Sequence, residues 1–230
     1  MVKFVEVELD TIKKEIEQMW TLVRQQLEDS CKAVCCADEK LADKVVSREK
    51  RVNAFELKID SDIEDFIALY NPVAVDLRFA LAMLKINTGL ERLGDYAEGI
   101  ARFVIRTGIR KEDTVLLTDL KLKECFDIIL EMFNMTFEAL KSGNIGIAKS
   151  VFEKDDRLDN LYYGAIDGLA AFTEKHPEKA HFCIEASGVF RKLERAGDHI
   201  NNLSEETVFY IDAEVLKHKS LKAEDKDAEA

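Results

Sequence analysis

The sequence predicts an all-α fold: two pseudo-symmetric antiparallel three-helix bundles built from one duplicated unit. Three observations carry this. Two prolines, Pro72 and Pro177, and ten glycines are the only strong punctuation in 230 residues, so long periodic segments run uninterrupted. Apolar residues recur along them at helical spacing. The pattern Leu-Glu-Arg-x-Gly-Asp occurs twice, at 90–95 and 193–198.

Six helical segments fall at 3–34, 38–70, 73–107, 114–142, 145–174 and 178–218. The first carries a stripe of Leu9, Ile12, Ile16, Met19, Trp20 and Leu27. An offset of 113 maps it onto Leu122, Cys125, Ile129, Met132, Phe133 and Leu140 of the fourth. The second segment's stripe, Leu41, Val45, Val52, Phe55, Ile59, Ile63 and Phe66, maps with an offset of 106 onto Ile147, Val151, Leu158, Leu161, Ala165, Leu169 and Phe172. The third, preceded by Asn71-Pro72 and closed by Gly108, maps onto the sixth with an offset of 103. There Phe79, Met83, Ile86, Leu90 and Leu93 become Phe182, Ala186, Val189, Leu193 and Ala196. Proline just before a helix and glycine just after one are the tolerated positions, and Gly143 and His176-Pro177 mark the later breaks. Short connections make sequential helices antiparallel neighbours. The boundaries are therefore 1–110 for the first repeat, 111–219 for the second, and an acidic tail at 220–230 without apolar anchors, expected to be disordered.

Composition excludes several functions. A formal charge of −12 disfavours nucleic acid, whose phosphates need clustered Lys and Arg. No apolar run approaches the roughly 18 residues of a membrane span. The start "MVKFVEVELD" has acids where a secretion signal needs an apolar stretch, so a cytoplasmic protein is expected. Five cysteines, an odd number, fit reduced thiols. Three of them, Cys31, Cys35 and Cys36, cluster without zinc-type spacing and read as small buried residues at a helix end, with a soft-metal or redox role as the lesser alternative.

Acidic pairs repeat with the helices. Glu91 and Asp95 stand one turn apart, opposite the stripe of the third segment, with Gly94 on their face. Glu194, Gly197 and Asp198 repeat this in the sixth. Asp155 and Asp159 form a pair on the fifth, and their counterparts on the second are Glu49 and Asn53. A lone acidic pair is ordinarily a solvated surface. A helix glycine costs about 1 kcal/mol relative to alanine, and like charges one turn apart repel. Both features recur at matched phase, which argues for cation sites. With Asn53 lowering the first half's charge, four carboxylates against three place the stronger site in the second half. Oxygen donors suit Mg²⁺ or Mn²⁺ and admit iron or zinc. His199 is a candidate ligand or cap beside Asp198, and His218 reads as a solvated helix end.

These residues resemble the PhoU family of phosphate-signalling proteins over nearly the whole chain, most clearly at 71–104 and 193–211. The family's Pro-Val-x-x-Asp-Leu-Arg stretch stands at 72–78. Its E(D)xxxD metal motif stands at Glu91–Asp95, Asp155–Asp159 and Glu194–Asp198, with a fourth copy altered by Asn53 after Glu49. The resemblance implies multinuclear iron or zinc clusters on the bundle surface. It also implies a non-enzymatic negative regulator of phosphate uptake and phosphate-starvation signalling. Its expected partners are a phosphate-specific ABC transporter and a phosphate-sensing histidine kinase, and it is expected to be a homodimer held at the membrane only through protein partners. Two alternatives stand beside it: an accessory to another phosphate permease, and a di-iron bundle oxidase, which needs two Glu-x-x-His motifs. Only Glu178–His181 supplies one.

Overall fold

The computed structural model describes residues 2–213 and 215–216, with side chains from residue 5 onward. His218 and the tail at 220–230 lie outside the described residues. Three long helices make the first half: α1 (Val2–Cys36), α2 (Glu39–Tyr70) and α3 (Ala74–Thr107). The second half has α4 (Lys111–Asp119), α5 (Leu122–Ser142), α6 (Ile145–Ser150), α7 (Asp155–Lys175) and α8 (Ala180–Asp212). Among the described residues there is no strand, and no helix is long and apolar enough to cross a membrane.

Local chemistry sets the ends. Asp38 caps α2 by accepting the Leu41 N–H at 3.0 Å. Asn71 ends that helix in the left-handed region, its N–H bonded to Ile67 O. Gly108 and Gly143 close α3 and α5 at φ 55° and 68°, where glycine has no Cβ to clash. Asn144 caps α6 through the Ile147 N–H.

Two segments expected as single helices are broken, and a third is shorter. The segment at 114–142 divides at Leu120–Lys121, where Lys121 adopts φ 60°. The break lets Leu120 reach across to Gly168 of α7, where a Cβ would lie 2.3 Å from Leu120 Cδ2. The segment at 145–174 divides at a 3₁₀ turn, Phe152–Lys154. The last helix ends at Asp212 with Ala213 at φ 58°, and Leu216 folds back onto Ala139, Ala148 and Val208.

The helices pack as two three-helix bundles, α1/α2/α3 and α5/α7/α8, sharing one continuous apolar core. Among the described residues, two contacts do most to join the halves. Trp20 of α1 is fully buried and stacks on Phe133 and Phe137 of α5, with ring centroids 4.9 and 5.1 Å away. Helices α3 and α8 run antiparallel, through Phe79 on Tyr210, Lys85 to Glu206, Tyr96 on His199, Phe103 on Phe182 and Arg106 to Glu185. Because Trp20 belongs to both halves' packing, Trp20→Ala is expected to cost about 3–5 kcal/mol. Urea unfolding followed by circular dichroism checks this, since the variant lacks the only tryptophan.

Candidate functional site: two acid-lined helix seams

The acidic pairs meet at two equivalent seams, α2 against α3 and α7 against α8. Gly94 is buried, and its missing side chain makes room for Glu49: a Cβ there would lie 3.2 Å from both Glu49 carboxylate oxygens and 3.0 Å from Val52 Cγ1. Gly197 does the same for α7, with a would-be Cβ 3.1 Å from Asp155 Oδ1 and 2.5 Å from Leu158 Cδ2. The helix glycines thus admit a carboxylate from the facing helix.

Glu49 is the most deeply placed acid, only 4% exposed. Its Oε2 accepts from Gln26 Nε2 at 3.0 Å, and Gln26 also donates to Val45 O. Arg48 faces the same glutamine and pairs with Asp29 at 2.9 Å. Glu49 Oε1 is buried with no partner, an uncommon state for a polar atom. Burial pushes the Glu49 carboxyl up to about 7, with Asp95, Glu98 and Glu91 adding to the rise against the Gln26 hydrogen bond. Glu91 is also raised, by burial and then by Asp95 and Glu56. Arg92 supplies partial compensation, 3.7 Å from both Glu91 and Asp95.

In the second seam burial lifts Asp155 to about 6, and Asp159 and Asp198 add to it. Asp159 and Glu194 are raised too, first by burial and then by Asp198. Asn201 hydrogen-bonds Asp155, while its own Oδ1 is buried without a partner. Each seam therefore holds repelling carboxylates and an orphaned buried oxygen, and in the first seam Asn87 Oδ1 of α3, whose amide donates to Glu56 O and Asp60 of α2, is a second.

All seven acids singled out from the sequence lie at these seams: Glu49, Glu91 and Asp95 in the first, Asp155, Asp159, Glu194 and Asp198 in the second. Asn53 is exposed. The structure adds to the first seam two acids that the repeat does not mark. Glu56 and Glu98 lie two turns beyond Glu49 and Glu91, on the same faces, and both act on the first seam. Their counterparts in the second half are Tyr162 and Asn201. Asp156 acts in the same way on Asp155 and Asp159, so each seam counts five carboxylates, which removes the charge advantage expected of the second. Among the described residues no three His, Cys, Asp or Glu side chains converge as a ready-made metal cage. His199 turns away from Asp198's seam and packs on Tyr96, 5.6 Å between centroids. Glu178 and His181 sit exposed at the start of α8, Glu178 against His176.

A duplicated helical bundle with acid-lined seams between paired helices, and no nucleophile–base constellation in them, defines the class. The chain belongs to the PhoU domain family, which matches residues 16–104 and 122–207. It is 30% identical over 215 residues to the phosphate-specific transport system accessory protein PhoU homolog of Aquifex aeolicus, covering 94% of this chain and 96% of that one. With the Escherichia coli phosphate-specific transport system accessory protein PhoU it shares 27% over 211 residues, covering 92% and 86%. The crystal structure of PhoU from Pseudomonas aeruginosa superposes with a TM-score of 0.84 at 26% identity, over 91% of this chain and 99% of that one. That of the phosphate transport system regulatory protein PhoU from Streptococcus pneumoniae gives 0.81 at 22% identity, over 92% and 98%, and bears on the fold alone. The family's members are accessory regulatory proteins rather than enzymes.

The raised carboxyls fix a pH dependence. A carboxyl whose folded pKa lies above its ordinary 4.5 binds protons better in the folded state, so its contribution is full at low pH and lost as pH rises through the folded value. In the presence of a chelator, stability is expected to fall between about pH 4.5 and 7, and Glu49→Gln to flatten that fall. Urea midpoints across the range test both; a Glu49→Gln profile parallel to wild type contradicts the assignment.

Proposed function

We propose that the chain is a regulator of phosphate transport and phosphate-starvation signalling, restraining a phosphate-specific ABC transporter and its sensor kinase by protein contact. The observation that carries this is the match over more than nine-tenths of the chain to named accessory proteins of phosphate-specific transport systems, with both repeats represented. The chain offers long rigid helix faces for such contacts. A cytoplasmic location at the membrane through a protein partner fits the charge of −12, which is repelled by anionic lipid. A homodimer is part of the same proposal. Deleting the gene in its host is expected to raise phosphate-starvation gene expression in phosphate-rich medium. Crosslinking to the complemented protein then identifies the contacts. Unchanged expression together with no transporter or kinase recovered refutes the reading; a transporter of another type recovered with altered uptake selects the alternative permease.

We also propose that the two seams take metal ions. The fit rests on oxygen donors from two facing helices, carboxyls raised by burial and mutual repulsion, and the orphaned Glu49 Oε1 and Asn201 Oδ1 beside the glycines. A hard cation that keeps several waters suits donors that do not close into a cage. Iron or zinc, singly or in clusters, would engage the same Glu49, Glu91, Asp95, Asp155, Asp159, Glu194 and Asp198. The bound ion would supply positive charge that neutralises these acids and staples the paired helices. Elemental analysis of purified protein is expected to show metal, with Asp95→Ala and Asp198→Ala each losing a comparable share. No metal in wild type, or none lost from either variant, contradicts the sites.

A further inference from the structure

Cys31, Cys35 and Cys36 lie in the last turns of α1, outside both acidic seams. Cys31 and Cys35 are one turn apart on the same face, both partly buried, with their thiols close enough to act on each other. Cys36 is exposed, and the helical turn of about 100° per residue carries it off that face. Opposite the pair stands α5, with Lys123 and Asp127 acting on both thiols and pairing with each other at 2.6 Å.

We propose that Cys31 and Cys35 form a two-coordinate site for a soft monovalent cation, Cu(I). Three arguments select this ligand. Thiolates prefer soft ions such as Cu(I) over hard ones. Zinc, the other common thiolate metal, takes four ligands. No third His, Cys, Asp or Glu joins the pair to make a metal group among the described residues. A disulfide is disfavoured by reach. Cβ atoms one helical turn apart are about 5–6 Å from each other, whereas a disulfide holds them at about 3.5–4.5 Å. A direct sulfur–sulfur bond would have to unwind the end of α1, which the Asp38 N–H to Ala33 O bond closes at 2.9 Å. A bridging ion spans the gap with the helix intact.

The chemistry balances without an oxidant. One Cu(I) forms two copper–sulfur bonds, both thiol protons leave to solvent, and the product is an anionic dithiolate. Lys123, which acts on both thiols, favours the negative charge that deprotonation leaves on the pair. Lys123 then stands beside the dithiolate's negative charge.

The test uses the full chain, fully reduced and kept anaerobic, titrated with Cu(I) held by bathocuproine disulfonate. Wild type is expected to withdraw one Cu(I) per chain. Cys31→Ser and Cys35→Ser should each weaken the withdrawal at least tenfold, with Cys36→Ser matching wild type. A second measurement needs no variant: bound copper should shield Cys31 and Cys35 of wild type from iodoacetamide, read by peptide mass, and leave Cys36 alkylation unchanged. No withdrawal by wild type, retention by Cys31→Ser, loss in Cys36→Ser, or shielding of Cys36 in place of Cys31 overturns the site. So does a Cys31–Cys35 disulfide forming in air while Cu(I) is not bound.

Discussion

The antiparallel packing of α3 on α8 is the contact on which the architecture depends. Both helices are long, and residues along much of their lengths face each other, from Phe79 against Tyr210 to Arg106 against Glu185. The pairing respects the duplication. Tyr96 and His199 are equivalents under the offset of 103, and they pack on one another near the middle of the seam. Gly89 lies against Leu203, and Gly99 against Lys192, each approach closer than a Cβ would permit without movement. These pairs exchange, to within one residue, when the halves are swapped. The duplicated unit therefore meets its own copy much as subunits meet in an isologous dimer, with one surface used twice. Once α3 and α8 are set, each has a flank left for its own half's second helix, and that flank carries the Leu-Glu-Arg-x-Gly-Asp pattern.

Electrostatics at those flanks runs against ordinary burial rules. An ionised carboxylate loses solvation when buried and is usually paired. Glu49 has one amide donor on one oxygen and nothing on the other. Its neighbours are acids, and the basic residues nearby are engaged elsewhere: Arg48 with Asp29, and Arg92 spread between Glu91 and Asp95. A core position this acidic is unfavourable in isolation, and Gln26 offsets only part of it. Protons or cations are the two species able to relieve it, and the rise of the Glu49 carboxyl to about 7 expresses the first. Gly94 belongs to the same balance, because a side chain there would press on Val52 and the Glu49 carboxylate. The stability lost by a helix glycine is set against the approach it allows.

Most of this was legible in the sequence. Periodicity located the six long segments, matched offsets showed the duplication, and the repeated glycine–aspartate phase marked both seams. What escaped has physical causes. The break at Lys121 follows no glycine or proline; it serves the docking of Leu120 over Gly168, a contact between segments that local propensity does not encode. The end of α8 at Ala213 likewise lacks a glycine and is set by Leu216 folding back on Val208. Glu56 and Glu98 were on the correct faces all along. The repeat does not mark them, because it displays what the two halves share, and these acids are where the halves differ. Gln26 gave no signal: a polar residue on an apolar helix stripe becomes informative only when its partner, Glu49, is known.

Metal binding at the seams, as proposed, would bring folding and ligand binding into one equilibrium. In the proposed metal-bound state, a cation held between α2 and α3 binds the folded bundle and has no matching site on the unfolded chain. Its binding free energy is therefore added to stability. The ion competes with protons for the same oxygens, so the two stabilise the seam in opposite pH ranges. Below about 7 the Glu49 carboxyl holds its proton and needs no counter-charge; above it, the repulsion among Glu49, Glu91 and Asp95 must be met by a cation or borne by the fold. The α2–α3 contact is strongest when one of them is present. If the proposed sites fill, the orientation of α2 on α3, and of α7 on α8, would be the element that proton and metal levels bias. In the proposed regulator, that orientation would set the shape a partner protein meets.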